Sequence, residues 1–367
     1  MIHERSIHTN HGATFIEREG RTVVKEYGRP DRTVLAVRNG AGVIEMGYGI
    51  IELAGDDSYT FIDNTVSNAV PQTHGHGVYA LLLNPQGQIN AELYIYNAGN
   101  RILCFCPYEL TEQLVKKWSG RVFIQDIEIA DVTDQYAVFG VHGSQSTEKI
   151  ASVLNGAGAP EPALHFVQGT MGDVGVTVVA SDAPTGEEGY EVICDAETSD
   201  RVLEILLTLG LNAVPFGFES WDQLLVEAGT PQFHSELSGN IPNVVGVRNA
   251  LDFEKGCYVG QEIVSKVENR GRPSRKLVGI RLDIDSIPAE RTIMYDGTDV
   301  GTVCSIITSP TVESVIGLGL IRSTIPPEAA VSVGTEDAAI ESLPFVSGSA
   351  TSARVPTYPS DTVNMTS

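Results

Sequence analysis

The sequence predicts an α+β fold divided into more than one domain. Its 367 residues exceed the roughly 250–300 at which a single hydrophobic core stops growing. Short alternating runs and amphipathic segments are mixed along it, with no fixed repeat of the kind that builds solenoids or propellers. After about Arg272 the pattern changes to short strands broken by turns, spaced as in a small β-barrel. A hydrophobic content of 42% is enough to fill several cores.

Taken in chain order, Tyr79–Tyr96 reads as a hairpin turning at Asn84-Pro85-Gln86-Gly87. In its second strand, Glu92, Tyr94 and Tyr96 share one face, and Leu93 and Ile95 the other. Glu109–Trp118 places Leu110, Leu114 and Trp118 on one helical stripe and ends in Lys, where the helix dipole favours cations. Val122–Val132 alternates as a strand. Thr198–Leu211 is a second helix, with Val202, Ile205, Leu206 and Leu209 in register. Glu219–Gly229 is a third, closed by Gly229, with Trp221, Leu224, Leu225 and Ala228 on its core stripe. The expected barrel strands are Lys276–Leu282, Thr292–Met294, Gly301–Ile307 and Val315–Leu320. Residues 347–367 are Ser, Thr and Pro with few large apolar groups, and read as a disordered tail.

Charge narrows the function. With 24 basic against 47 acidic residues the net charge is −23, which argues against a nucleic-acid binder working through a basic face. Only 7 of the 24 basic residues are Lys. An acid surplus with scarce Lys fits a salty cytoplasm, where screening over about 3 Å at molar salt removes the self-repulsion of surface carboxylates; an ordinary acidic protein is the plainer alternative. No apolar stretch is long enough for a membrane helix, and the N-terminus has no cationic start leading into an apolar run. The expectation is a soluble, cytoplasmic protein. Five Cys, odd in number and widely spaced, fit reduced thiols better than a disulfide framework. Cys104 and Cys106 read as buried and inert, and His74-Gly75-His76 as a turn; no metal site is expected.

Three places offer chemistry. Glu92 beside Tyr94 and Tyr96 could seat a flat, hydrogen-bonding heterocycle, although a half-exposed sheet face with Glu92 in water has the same spacing. Glu227 lies in the last turn of its helix, where the dipole disfavours an anion, so it breaks a local rule; an exposed Glu would do so at little cost. The densest signal is Phe253–Glu262, in which Lys255 could activate Cys257 as a thiolate, and Gly256 and Gly260 allow close backbone approach to a ligand. A glycine-punctuated turn with an incidental Cys fits the same residues.

Lys255-Gly256-Cys257-Tyr258-Val259-Gly260-Gln261-Glu262 resembles the K-G-C-Y-x-G-Q-E signature of the YgfZ-type folate-binding proteins, relatives of the glycine cleavage T-protein (aminomethyltransferase). Phe61–Asn68, Val138–Gly143, Thr185–Glu191 and Val226–Gly229 resemble further motifs of that superfamily, with His142 and Lys266 as departures. The resemblance runs from about Gly12 to about Pro344.

It implies a three-domain cloverleaf around a central folate pocket. Residues 1–272 would form two interleaved α+β subdomains, and 273–346 the C-terminal β-barrel. Tetrahydrofolate, or a one-carbon derivative of it, would be the ligand. Tyr79, Glu92, Tyr190, Glu227 and Lys255 would contact it, with Glu92 in the place of the family's catalytic Asp and Cys257 as the redox or nucleophilic group. Two functions follow, with iron–sulfur client proteins or a lipoyl carrier protein as the respective partners. One is assembly or repair of iron–sulfur proteins; the other is aminomethyl transfer to tetrahydrofolate. A non-catalytic folate-binding scaffold is a third.

Overall fold

The computed structural model describes residues 6–269, 271–284, 286–327 and 329–359. Strand alternation builds the first layer. Gly77–Leu83 and Ile89–Asn97 form the expected hairpin, with Tyr79 opposite Tyr94, and start a five-stranded antiparallel sheet. Arg101–Pro107, Tyr48–Ala54 and Glu128–Asp131 follow in that order. One face sends Ala80, Leu82, Leu93 and Ile95 against Leu114 and Trp118 of the helix Thr111–Ser119. The helix comes so close that a Cβ at Gly49 would lie 1.8 Å from Thr111 Oγ1. The other face carries Tyr79, Leu81, Tyr94 and Tyr96 into the central core.

A seven-stranded sheet forms the second layer. Phe166–Met171, Val174–Ala180, Gly189–Asp195 and Tyr136–His142 are antiparallel at its centre, and Gly42–Glu45 extends it. Helices Ser146–Val153 and Ser199–Thr208 cover one face of it with Ile150, Val202 and Leu206. The chain passes between the sheets twice. Gly42–Glu45 runs through Met46-Gly47 into Tyr48–Ala54, and Glu128–Asp131 runs through residues 132–135 into Tyr136–His142.

The third unit is a closed six-stranded barrel, in which Arg275–Leu282 pairs with both Ser314–Arg322 and Glu336–Glu341. Closure leaves no free sheet edge. The barrel's Ile316, Leu318 and Leu320 join the same core as Tyr79, Trp221 and Leu224. No helix among the described residues is long and apolar enough to cross a membrane.

Three expectations need correction. Residues 122–127 are not a strand: pairing starts at Glu128, and Phe123 and Ile124 are 86% and 97% exposed, so no partner strand rewards their alternation. Leu209 lies beyond its helix and is exposed. Residues 347–359 are not disordered. Ser349 bonds Glu187, Arg354 is buried, and the Tyr358 hydroxyl donates to Val244 O at 3.0 Å. Polar contacts do here what apolar burial does elsewhere, which a reading of hydrophobic content misses. Residues 360–367 of the expected tail lie outside the described residues.

A buried ion cluster ties the units together. Arg38, at the end of helix Pro30–Arg38, donates from Nε to Glu227 at 2.7 Å and from Nη1 to Glu187 at 2.8 Å. Ser309 and Thr311 of the barrel donate to the Glu227 carboxylate as well. Glu227 is 0% exposed, so its charge is met entirely by the protein. Breaking such a cluster from one side strands a charge. Glu227→Ala is therefore expected to lower stability by about 3–5 kcal/mol, read from urea unfolding; a loss below about 1 kcal/mol would mean that the cluster does not hold the units together.

Candidate active site

The cavity lies where the chain first crosses between the sheets. Met46, Gly47 and Tyr48 form part of its wall, Trp221 and Phe233 another part; it is open on one side, and its volume is about 140 Å³. Strand alternation delivers Glu92 and Tyr94 to it from one side. From the other side comes Arg354, on the C-terminal segment.

Three Tyr–carboxylate pairs meet at the cavity wall, each with one member lining it (Glu92, Tyr48 and Tyr94) and the other behind. Tyr79 OH donates to Glu92 at 2.9 Å, Tyr48 OH donates to Glu191 at 2.9 Å, and Tyr94 OH donates to Asp182 at 3.1 Å. Arg354 is their shared cation. Its Nη1 lies 3.3 Å from Glu92 and its Nε 3.3 Å from Asp182, with the guanidinium 5.4 Å and 5.8 Å from the ring centres of Tyr79 and Tyr94. Burial raises Glu92 above the ordinary carboxylate range, while Arg354 and the Tyr79 hydroxyl pull it back. Burial pushes Glu191 up to about 7, against the bond from Tyr48. The same burial raises the hydroxyls of Tyr48, Tyr79 and Tyr94, so they remain donors.

The structure brings Tyr79 and Glu92 together as expected. It does not bring Glu227, Tyr190 or Lys255 to the cavity. Glu227 is taken up by Arg38 and the barrel hydroxyls. Tyr190 points into the helix-covered core, its hydroxyl 3.0 Å from Thr147 Oγ1, because strand alternation turns its neighbour Glu191 towards Tyr48 instead. Lys255 Nζ donates to the carbonyls of Asp63, Val66 and Asn68 at 2.6, 3.2 and 2.7 Å, and to the Asp63 carboxylate at 3.1 Å. It caps the end of helix Ser58–Asp63, so neither a ligand nor the Cys257 thiol receives its charge. Gly260, at φ +85°, approaches a protein turn rather than a ligand: a Cβ there would sit 2.6 Å from Asn84 O. Cys257 is exposed and is not part of the cavity wall. Cys104 and Cys106 are buried, their thiols raised by desolvation, and Cys106 touches the cavity.

Sequence reasoning missed Tyr48, Asp182, Glu191 and Arg354. Glu191 closes the Thr185–Glu191 motif and was within reach; Arg354, in a segment of low apolar content, had no signal. At the cavity mouth, Glu19, Glu109 and His234 bring one ligand atom each within 4.8 Å of one another, an arrangement that could hold a cation. A wider groove of about 660 Å³ shares Glu19 and His234 with the cavity.

Comparison with known proteins matches residues 4–255 to the GCVT N-terminal domain and residues 275–346 to the glycine cleavage T-protein C-terminal barrel domain. The chain belongs to the glycine cleavage T-protein superfamily. Among its relatives, an aminomethyltransferase of Geobacillus kaustophilus is 28% identical over 328 residues, covering 87% of this chain and 90% of that protein. A putative chloroplastic transferase of Arabidopsis thaliana is 26% identical, covering 82% and 69%. The crystal structure of the glycine cleavage system aminomethyltransferase T from Bartonella henselae superposes with a TM-score of 0.82, at 19% identity, over 94% of this chain and 97% of that one. It therefore shares the T-protein fold, barrel included.

The buried acids give this T-protein fold a pH signature. Glu191 moves from 4.5 unfolded to about 7 folded, so the folded chain keeps a proton that the unfolded chain releases between those values. That contribution is full below about pH 4.5 and is lost as pH rises through about 7. Glu191→Gln keeps an oxygen for Tyr48 and is expected to add up to about 3 kcal/mol at pH 8 and little at pH 4. Urea midpoints at the two pH values check this; an equal change at both contradicts it.

Proposed function

We propose that this chain binds tetrahydrofolate, or a one-carbon derivative of it, in the Glu92 cavity and transfers a one-carbon unit as an aminomethyltransferase does. The observation that carries this reading is the cluster of acceptors at and behind the cavity wall: Glu92 lines it, Asp182 and Glu191 accept from the lining residues Tyr94 and Tyr48, and Arg354 is the cation paired with Glu92 and Asp182. A reduced pterin matches such a site, being flat enough to lie on tyrosine rings and carrying amino and N–H donors along one edge. Tetrahydrofolate supplies the nitrogen that accepts the one-carbon unit. Glu92, fixed by the Tyr79 hydroxyl, stabilises positive charge that develops at that nitrogen and guides its proton. The relatives named aminomethyltransferase, matched along most of their length, add support, and a lipoyl carrier protein is the donor this reading requires.

A specific observation favours a second reading, YgfZ-type maintenance of iron–sulfur proteins. Lys255, Tyr258 and Gly260 are pinned against the body of the protein, while Cys257 between them is exposed. A thiol presented outward on a fixed loop, away from the cavity, suits a partner protein better than a bound folate. In both readings the acid surplus and Lys shortage suit a cytoplasm rich in salt.

Calorimetry with tetrahydrofolate, followed by one-carbon transfer from an aminomethylated lipoyl carrier, tests the proposal. Glu92→Gln is expected to cut turnover by about 10²–10⁴-fold and to change tetrahydrofolate affinity far less. Binding without turnover, together with loss of iron–sulfur enzyme activities in cells carrying Cys257→Ala, would select the second reading. No binding by the intact chain would refute both.

A further inference from the structure

The cavity of about 140 Å³ is small against the roughly 300–1,000 Å³ of sites that enclose a drug-sized ligand. Part of its space is taken by a side chain of the protein. Arg354 arrives on the C-terminal segment, its side chain 7% exposed. Its planar fork meets Glu92 and Asp182, and Tyr79 and Tyr94 lie against it. Chemically this is the interaction set of a flat, donor-rich ligand: two acceptors at its edge and aromatic rings beside it.

The fit is incomplete. Arg354 Nε is buried and finds no hydrogen bond of good geometry, although Asp182 is 3.3 Å away. The segment that carries it is tethered at both ends. At one end Ser349 N donates to Glu187 at 2.8 Å; at the other, Thr357 N donates to Gly246 O at 3.0 Å and the Tyr358 hydroxyl bonds Val244 O. Between these tethers the backbone holds the body through Ala350 N to Gly186 O at 3.2 Å and Ala353 N to Asp182 O at 3.0 Å. Residues 350–356 therefore form a loop fixed at both ends, held between them by those two backbone bonds and by the buried side chains of Ser352 and Arg354.

We propose that Arg354 is a built-in occupant of the cavity, holding in the ligand-free protein the place that the donor edge of a planar heterocycle takes in the liganded one. Binding then exchanges one planar donor for another against Glu92 and Asp182, so both carboxylates have a donor partner in the ligand-free and in the liganded protein, and only the released state between them lacks one. The inference rests on the proposed function only for the identity of the heterocycle. It makes the C-terminal segment a filter, since a ligand that offers no donors to both carboxylates cannot replace the guanidinium. It also lowers apparent affinity, because the competent state is the fraction of molecules with the segment released.

Amide hydrogen exchange on the intact chain tests this directly. Saturating tetrahydrofolate is expected to speed exchange at Ala350 and Ala353 several-fold; binding that leaves these amides unchanged or slows them overturns the proposal. Arg354→Met, which keeps the aliphatic bulk, and Arg354→Ala are expected to bind tetrahydrofolate about tenfold more tightly. A tenfold weaker affinity would make Arg354 a ligand contact and overturn it too. Ethylguanidinium supplies an arm independent of folate: it is expected to raise the thermal midpoint of Arg354→Ala saturably and to leave the intact chain unmoved. If it stabilises neither, the built-in occupant is refuted. If tetrahydrofolate binds neither chain while ethylguanidinium stabilises the variant alone, the occupant stands and the folate reading falls.

Discussion

Glu227 is shut off from bulk solvent, so its charge is met by Arg38 and by hydroxyls of Ser309 and Thr311, groups drawn from a helix near the start of the chain and from the barrel near its end. Arg38 in turn reaches Glu187, which also receives Ser349 N from the C-terminal segment. Each partner satisfies another that would otherwise be buried unpaired. Because these partners are far apart in sequence, the cluster forms only when helices Pro30–Arg38 and Phe218–Glu227, the loop before strand Gly189–Asp195 of the seven-stranded sheet, the barrel and the C-terminal segment have come together. The placement of the barrel and the C-terminal segment against the seven-stranded sheet depends on it.

The Glu92 site uses the same chemistry to a different end. There too a buried arginine meets two carboxylates, but one side of the arrangement opens on a cavity, and hydroxyls of Tyr79, Tyr94 and Tyr48 share the load. A sealed cluster fixes architecture, whereas one with an open side can change partners. The distinction is one of access rather than of residue type, which is why two glutamates that look alike in the sequence have separate roles in the structure.

Much of the framework was legible. The hairpin around Asn84–Gly87, the helices carrying Trp118 and Trp221, and the four barrel strands expected after Arg272 follow from periodicity and turn chemistry, and the structure contains them. Tyr79 and Glu92 were legible as a pair. Glu227 and Lys255 were legible as unusual, but their use was not: a buried acid needs a cation and a helix end needs a donor, and which of these needs a charged side chain serves depends on what lies near it in space. Arg354 was not legible, because its partners Glu92 and Asp182 lie roughly 260 and 170 positions upstream and nothing local distinguishes it. The exposed Phe123 and Ile124 show the converse, a strand-like pattern with no strand beside it.

The double passage of the chain between the two sheets has an evolutionary consequence. Since Gly42–Glu45 and Tyr48–Ala54 lie on opposite sides of a two-residue link, and Glu128–Asp131 and Tyr136–His142 on opposite sides of a four-residue one, the five-stranded sheet is one contiguous stretch set into the seven-stranded one, and no single cut separates the two. The inserted layer can be exchanged only through two cuts, one at each link, and the seven-stranded sheet is split around it. A single clean cut falls in the stretch leading into the barrel at Arg275, so exchange through one crossover is confined to about the last quarter of the chain.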